Sequence, residues 1–224
     1  ISNAAAAQPD VYDTYELFIS TTPVENVDVM RKYFDDSGTW PRDITIISDV
    51  GASFDEHYNH AFRQVFEKGF DTILSMGGDM PALPRSVVVE GFERLHELCA
   101  LPQGGIVISP DQEMGVSLVG WTRETPMDHT GVFYNAEGLT VLPAYLAKAR
   151  AISLPALYLP AVVDVDTMAD LAHNVTLVQA IKYCAQFQDI SVPWRTIEAL
   201  HEIGYEDVRV MPNELRDSRE GIDV

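Results

Sequence analysis

The chain has few basic side chains and no long apolar run, and each shortage excludes a class of protein. It carries 15 Lys and Arg against 34 Asp and Glu, a formal net charge of -19. Such a surface repels phosphate backbones, so nucleic-acid binding is not expected. No segment approaches the roughly 18 apolar residues of a membrane span. Residues 1–8 lack the pattern of a signal peptide, so a cytoplasmic location is expected.

Cysteine is also scarce, and two common catalytic patterns are missing. Cys99 and Cys184 lie far apart and do not have metal-ligand spacing. Both fall on the apolar faces of predicted helices, so we expect buried thiols. The sequence contains neither a G-x-S-x-G nucleophile turn nor a P-loop, which argues against a serine hydrolase and a P-loop NTPase.

What the chain does contain is an alternation of strand and helix patterns. With 224 residues, 46% of them hydrophobic, it is long enough for one α/β domain over residues 1–224, although two small domains stay open. The alternation predicts a doubly wound, mostly parallel sheet with helices on both faces and an antiparallel hairpin-like insertion. Strands are expected at 15–21, 43–48, 73–76, 105–109, 116–121 and 157–163, and helices at 24–36, 54–68, 85–100, 138–151, 168–185 and 193–203.

The end of the chain has a weaker pattern than the rest. Residues 190–224 are expected to form a helical extension followed by a charged tail from Tyr205. This tail either packs on the sheet or packs on a second subunit of a homo-oligomer, and the sequence leaves both open.

The clearest helix pattern covers residues 54–68. Ser53 and Glu56 have capping-box spacing, and Gly69 fits the stop. His57 and His60 lie three residues apart, which would suit a shared metal, but a solvated polar face is the favoured interpretation. The predicted buried face comprises Phe54, Tyr58, Ala61, Phe62, Val65 and Phe66.

A strand pattern runs directly into Gly77, Gly78 and Asp79. Asp79 therefore stands at the carboxyl end of a strand, the edge at which open α/β sheets bind ligands. The two glycines have no side chain, so a ligand can approach the backbone closely. The alternative is that Asp79 is an ordinary turn residue or helix cap.

A second strand end carries Asp164 and Asp166. Two residues apart on an extended chain, these carboxylates point the same way, and their repulsion is relieved by a cation. Mg²⁺ typically takes one or two carboxylates together with substrate phosphates. The alternative is a helix cap, because Thr167 and Asp170 have capping-box-like spacing. Both interpretations are compatible.

The ordered pair GGDMP and DVDT, each followed by a helix, resembles the nucleotide-diphospho-sugar transferase superfamily over roughly residues 15–175. The similarity is greatest to a bacterial group of small glycosyltransferase-like proteins related to the molybdenum-cofactor and phospholactate nucleotidyltransferases. It implies a Rossmann-like, GT-A-like fold. It also implies a metal-dependent glycosyltransferase with a nucleotide-diphospho-sugar donor and a small-molecule acceptor. A nucleotidyltransferase and a non-catalytic binding module that retains the fold are the alternatives.

The resemblance also implies roles for particular residues. Asp79 would hold Mg²⁺ or Mn²⁺ on the nucleotide diphosphate, with Asp164 and Asp166 as partner ligands. Gly77 and Gly78 would lie against the nucleotide beside Asp79. Asn135 is a further candidate for donor binding, although a loop role explains it equally well.

Candidates for the base that deprotonates the acceptor are Asp111 and Glu113, which follow a strand end. A solvated loop is the favoured alternative for both. The sequence departs from its relatives here, because residues 113–116 read EMGV where an Asp-Gly-Gly-Tyr-like turn is common. It departs again at residues 133–136, and nothing before Tyr15 matches the basic nucleotide-binding loop of the relatives. We expect that the first strand of the fold is omitted from the sequence rather than lost.

Overall fold

The computed structural model describes residues 15–40 and 43–206, which form six strands and six helices. The predicted tail lies almost wholly outside the described residues. The strands are β1 (Leu17–Thr21), β2 (Ile44–Ser48), β3 (Thr72–Met76), β4 (Ile106–Pro110), β5 (Val116–Thr122) and β6 (Ala156–Tyr158). The helices are α1 (Asn26–Asp36), α2 (Phe54–Glu67), α3 (Arg85–Cys99), α4 (Val141–Ala151), α5 (Met168–Cys184) and α6 (Trp194–Glu202).

The strands form two sheets. β1 and β2 pair in parallel, with Leu17 opposite Ile44 and Thr21 opposite Ser48. The second sheet has the order β3-β5-β4-β6. Within it β4 and β6 are parallel, while β5 runs antiparallel to both of its neighbours. The predicted α/β class and the antiparallel hairpin are therefore confirmed, and β5 is the reversed strand.

Helices cover both faces of the larger sheet, as the alternation along its strands requires. One face of the sheet packs against Phe62 and Val65 of α2 and Tyr145 of α4 in a single buried cluster. The sheet residues of this cluster are Ile73, Ile106, Ile108, Val119 and Trp121. The opposite face meets α3. A Cβ added to Gly91 of α3 would lie 2.8 Å from Cδ2 of Leu74. The missing side chain therefore allows α3 to pack closely on the sheet.

Local signals position the helix ends. Ser53 Oγ accepts a hydrogen bond from Glu56 N at 3.3 Å, as predicted for the start of α2. Glu56 Oε2 accepts from Ala52 N rather than from the cap residue itself. Thr167 and Asp170 form a full capping box at the start of α5. The cap interpretation of the DVDT stretch is therefore confirmed.

The prediction of buried thiols is wrong, because Cys99 and Cys184 are both exposed. In α3 the buried face runs through Leu95 and Leu98, which are 0% and 2% exposed. Leu98 occupies the inward position that the pattern had assigned to its neighbour Cys99. Cys184 is the last residue of α5, beyond the buried Val178.

The chain divides into two compact units. Unit one comprises Ile1–Gly77 and Pro84–Val162, and unit two comprises Gly78–Leu83 and Val163–Val224. Both sheets belong to unit one, while α5 and α6 belong to unit two. The expected single domain over 1–224 stays a prediction. In the part of the chain that the structure describes, none of the helices has the length and apolar character needed to cross a membrane.

Candidate functional site

The turn after β3 presents Asp79 at an exposed position in unit two. Its neighbour Met80 is only 8% exposed and anchors the turn, and Met80 O accepts a hydrogen bond from Leu83 N. Thr196 Oγ1 of α6 donates to Pro81 O at 2.7 Å. The segment is thus held by its apolar and backbone groups, which leaves the Asp79 carboxylate at the surface.

The loop that carries Asp164 and Asp166 is held by a buried amide that the sequence did not indicate. Asn174 of α5 is 2% exposed, and its Nδ2 donates to Asp164 O at 3.0 Å and to Asp170 O at 3.1 Å. Asn174 Oδ1 accepts no hydrogen bond within the described residues. Asp166 is exposed, while Asp164 is half-buried. Asn174 therefore fixes the backbone from which these carboxylates project.

Unit two contains all three predicted metal ligands, Asp79, Asp164 and Asp166. Over residues 15–40 and 43–206, however, no group of three or more His, Cys, Asp and Glu side chains could hold a metal ion. A pre-formed three-carboxylate site is therefore not present in these ranges. The exposed carboxylates of Asp79 and Asp166 are hard oxygen donors of the type that Mg²⁺ binds together with phosphates. The metal site stays a prediction.

Asp111 shapes the turn after β4. It is 8% exposed, and its Oδ1 accepts hydrogen bonds from Glu113 N at 2.7 Å and Gly115 N at 2.8 Å. A Cβ on Gly115 would lie 2.1 Å from Asp111 Oδ2, so only glycine fits there without a shift. Glu113 is exposed on the same turn. The geometry explains Asp111 by loop structure, and the base roles of both residues stay predictions.

Asn135 closes its own loop. Its Nδ2 donates to Val132 O and Leu139 O, and its Oδ1 accepts from Leu139 N at 3.0 Å. Both amide donors are therefore engaged within the loop. Binding of the donor by Asn135 stays a prediction, and Gly77 and Gly78, exposed beside Asp79, likewise await a test.

The loop before Asn135 is attached to the start of α2. Asp55 Oδ2 accepts from Gly131 N at 2.7 Å, and its Oδ1 accepts from Phe133 N at 2.9 Å. Asn59 Oδ1 accepts from His129 N at 2.8 Å. The first two turns of α2 therefore fix the conformation of the loop around residues 129–133.

His129 is a fully buried titratable side chain of this region. It is 0% exposed and lies among the rings of Tyr58, Phe62, Trp121 and Tyr145. Its Nδ1 lies 2.6 Å from Tyr145 Oη, and its Nε2 has no partner in the described residues. Burial, reinforced by the Lys148 charge, lowers the pKa of His129 to about 3. The ring is therefore neutral at physiological pH.

A hydrogen-bonded chain of Ser20, Asp49 and His57 lies at the carboxyl ends of β1 and β2, and sequence reasoning missed it. Ser20 Oγ donates to Asp49 Oδ2 at 2.5 Å, and His57 Nδ1 lies 2.5 Å from Asp49 Oδ1. His57 was expected on a solvated face. The available signal was the position of Asp49, directly after a strand and one turn before a capped helix.

The comparisons with known proteins agree with this fold. The model of the family described as "Uncharacterized protein conserved in bacteria (DUF2064)" matches residues 12–136, which is more than half of the chain. No curated protein matches the chain. A crystal structure of a "putative nucleotide-diphospho-sugar transferase" from Desulfovibrio desulfuricans G20 is similar, with a TM-score of 0.62 and 24% identity. The match covers 91% of this chain and 80% of that chain.

The structural likeness shows that this chain shares the fold of that protein, which is the fold that the resemblance implied. It also confirms the predicted Rossmann-like, GT-A-like architecture. Together with the match over residues 12–136, it assigns the chain by family and by fold. The chain belongs to the DUF2064 family of bacterial proteins.

Proposed function

We propose that the protein is a metal-dependent transferase that uses a nucleotide-diphospho-sugar donor. One observation carries the proposal. The short segment Gly78–Leu83 groups with Val163–Val224 in unit two. Asp79 therefore shares a compact unit with Asp164 and Asp166, although the elements from α3 to β6 lie between them in the sequence. The similar crystal structure, named as a nucleotide-diphospho-sugar transferase, supports the same class.

In this proposal the residues of the two turns receive the diphosphate end of the donor. Asp79 and Asp166 would hold Mg²⁺ or Mn²⁺, which supplies neutralisation of charge on the leaving phosphate. Gly78 has open space where a side chain would project, so its backbone can approach the phosphates. Asn174 keeps the Asp164 backbone in place through its hydrogen bond.

A second candidate function is a binding module that keeps the fold without catalysis. The lack of a group of three metal-binding side chains in residues 15–40 and 43–206 favours it. A nucleotidyltransferase, the third alternative, would use the same two turns and differ in the bond that breaks.

The test is ligand-dependent thermal stability. We expect Mg²⁺ or Mn²⁺ together with a matching nucleoside diphosphate to raise Tm, because a ligand that binds only the folded state stabilises it. At 100 times Kd the gain is about 2.7 kcal/mol, or roughly 5–10 °C for a chain of this size. Asp79→Asn should lose the shift. Asp189→Asn, at another exposed position of unit two, is the matched control and should keep it.

The outcomes separate the candidates. A shift that survives Asp79→Asn contradicts the metal assignment, and no shift with any common nucleoside diphosphate contradicts nucleotide binding. Where binding occurs, the protein is incubated with nucleotide-diphospho-sugars and, separately, with nucleoside triphosphates, and ³¹P NMR identifies the bond that breaks. Release of a nucleoside diphosphate supports sugar transfer. Formation of pyrophosphate from a nucleoside triphosphate supports nucleotidyl transfer. If neither product forms, the result supports the binding module.

A further inference from the structure

Helix α5 has an outer face without charged side chains, in a chain whose formal net charge is -19. The structure describes all 17 residues of α5, of which only Asp170 and Lys182 carry a formal charge. Asp170 is 7% exposed and forms the capping box. Lys182 lies towards α6, with its Nζ 5.8 Å from the centroid of the Trp194 ring. The rest of the exposed side of α5 is uncharged, and a helix of this character is normally covered on every side.

The outer face of α5 is one stripe along the helix. Its members recur at spacings of three and four residues, which brings them to the same side. They are Ala169, Ala172, Thr176, Ala180 and Tyr183, all exposed except the half-buried Ala172. Tyr183 is 64% exposed, and its ring centroid lies 5.6 Å from that of Phe187, which is 75% exposed. The face therefore carries an exposed aromatic pair at one end and small side chains along the rest.

This face is complementary to itself under a twofold rotation. Thr176 stands at its centre, with Ala172 and Ala180 four residues to either side. Ala169 and Tyr183 stand seven residues to either side. In two antiparallel copies related by an axis through Thr176, alanine therefore faces alanine, and each Tyr183 ring faces the methyl group of Ala169 in the other copy. Small side chains at such a contact bring the helix axes to about 8 Å, the lower end of the usual range.

The charges around α5 favour a second copy as the occupant of this face. No exposed side chain of α5, which the structure describes in full, is Asp or Glu, so a basic protein finds no carboxylate to pair with there. Two copies of this acidic chain can approach each other where carboxylates are absent. Asp166 is exposed just before α5, and Lys182 is exposed near its end. Antiparallel packing brings these opposite charges towards each other across the two copies and sets the two helix dipoles in opposite directions.

We propose that the outer face of α5 binds the same face of a second copy of this chain, antiparallel, with a twofold axis near Thr176. The 17 residues of α5 span about 25 Å. A single helix of that length covers less than the roughly 800 Å² per chain of a standard interface. The dimer is therefore weak and reversible, with an expected Kd of roughly 10–100 µM. The contact uses unit two alone and requires neither a metal nor transfer activity.

The first test is sedimentation equilibrium of the full chain from about 5 to 500 µM. We expect the average mass to rise from that of one chain towards that of two, because these concentrations span the expected Kd. The mass of a single chain throughout the series would overturn the proposal. Assembly beyond two copies would also overturn it, because a twofold contact of this kind closes on itself.

A charge placed on the face provides the second test. Ala180→Glu buries a carboxylate without a partner in the dimer, so we expect Kd to rise at least about tenfold. Ala199→Glu, at an exposed position of α6 in the same unit, is the matched control and should keep the native Kd. Both positions are exposed in the single chain, so both variants should fold. An unchanged Kd in Ala180→Glu, or an equal rise in the two variants, would contradict the proposal.

Cross-linking tests which residues meet at the axis. In a background of Cys99→Ser and Cys184→Ser, Thr176→Cys should form a disulfide-linked dimer on mild oxidation. The reason is that residues at the axis come within the Cα separation of about 4–7 Å that a disulfide allows. Glu198→Cys, at an exposed position of α6, is the control and should remain a single chain.

The same background distinguishes antiparallel from parallel packing. In the antiparallel dimer the two copies of residue 183 lie roughly 20 Å apart, so Tyr183→Cys should not cross-link with itself. Mixed with Ala169→Cys, it should form a disulfide between the two variants. Self-linking of Tyr183→Cys as fast as that of Thr176→Cys, or equally fast linking of Glu198→Cys, would overturn the proposal.

Discussion

Each of the two units is stabilised internally by a different kind of contact. Unit one buries apolar side chains between its sheets and helices, including Phe62, Trp121 and Tyr145. In the described part of unit two, the buried apolar side chains are Met80, Ala82, Val175, Val178 and Leu200. Asp170 and Asn174 are also buried, and their side chains form hydrogen bonds to backbone groups. Substitutions should therefore act through packing in unit one and through hydrogen bonds in unit two.

The largest effect is expected from Phe62→Ala in unit one. Phe62 is 6% exposed and contacts Trp121 and His129. Truncation of a buried phenylalanine leaves a cavity and typically costs about 3–5 kcal/mol. The free energy of unfolding in urea measures it.

Phe54→Ala is the matched control, because Phe54 is on the same helix but is 46% exposed, so its assignment to the predicted buried face is wrong. Its cost should be much smaller. If the two variants lose equal stability, the distinction between the packed and the exposed part of α2 is wrong.

A smaller effect is expected from Asn174→Ala in unit two. The change leaves Asp164 O and Asp170 O without their Nδ2 donor. A hydrogen bond of this kind contributes about 0.5–1.5 kcal/mol, so the loss of both should cost about 1–3 kcal/mol. Hydrogen exchange of the α5 amides measures the loss within unit two.

Thr176→Ala on the same helix is the control for Asn174. Thr176 Oγ1 donates only to Ala172 O at an exposed position, and such a bond contributes little stability. If Asn174→Ala leaves hydrogen exchange in α5 unchanged, the hydrogen bonds of Asn174 do not stabilise unit two, and the proposed difference between the units is wrong.

The smallest effect, counted for a change of one pH unit, is expected from protonation of His129. Its pKa falls from 6.5 to about 3 in the folded protein, chiefly because of burial. The unfolded chain therefore binds the proton first. The contribution of His129 is fully present above pH 6.5 and is lost as pH falls from there towards 3. The slope is at most about 1.4 kcal/mol per pH unit, measured by urea unfolding between pH 7 and 4.

A double variant isolates this slope. His129→Phe with Tyr145→Phe removes both hydrogen-bonding partners at once, which is less costly than removing one. It should flatten the pH dependence in this range. His96→Gln, at an exposed position of α3, should leave the slope unchanged, and an unchanged slope in the double variant would contradict the assignment.

The sequence pattern predicts much of unit one, because burial imposes periodicity there. Apolar spacing and capping residues predict the start of α2, the hairpin of β4 and β5, and the burial of Phe62. The pattern fails at Cys99, where a one-residue rotation of the buried face places Leu98 inside instead. Periodicity cannot resolve a shift of that size.

The candidate sites were harder to predict, because their contacts join residues distant in sequence. Ser20 and Asp49 meet only after β1 and β2 pair, and Asp55 meets Gly131 across 76 positions. The spacing of neighbouring residues in the sequence does not indicate such hydrogen bonds. The aspartates of the GGDMP and DVDT stretches were visible because each follows an apolar strand pattern, although β6 itself ends at Tyr158, six residues before Asp164. Their shared role as metal ligands stays a prediction.

Unit two is discontinuous along the chain, with Gly78–Leu83 inserted between two parts of unit one. A single proteolytic cut after Val162 would therefore separate Val163–Val224 from the segment that carries Asp79. A gene truncated at that codon would encode Asp79 without Asp164 and Asp166. Recombination between relatives faces the same constraint, because one crossover near this junction would draw the two acidic turns from different parents.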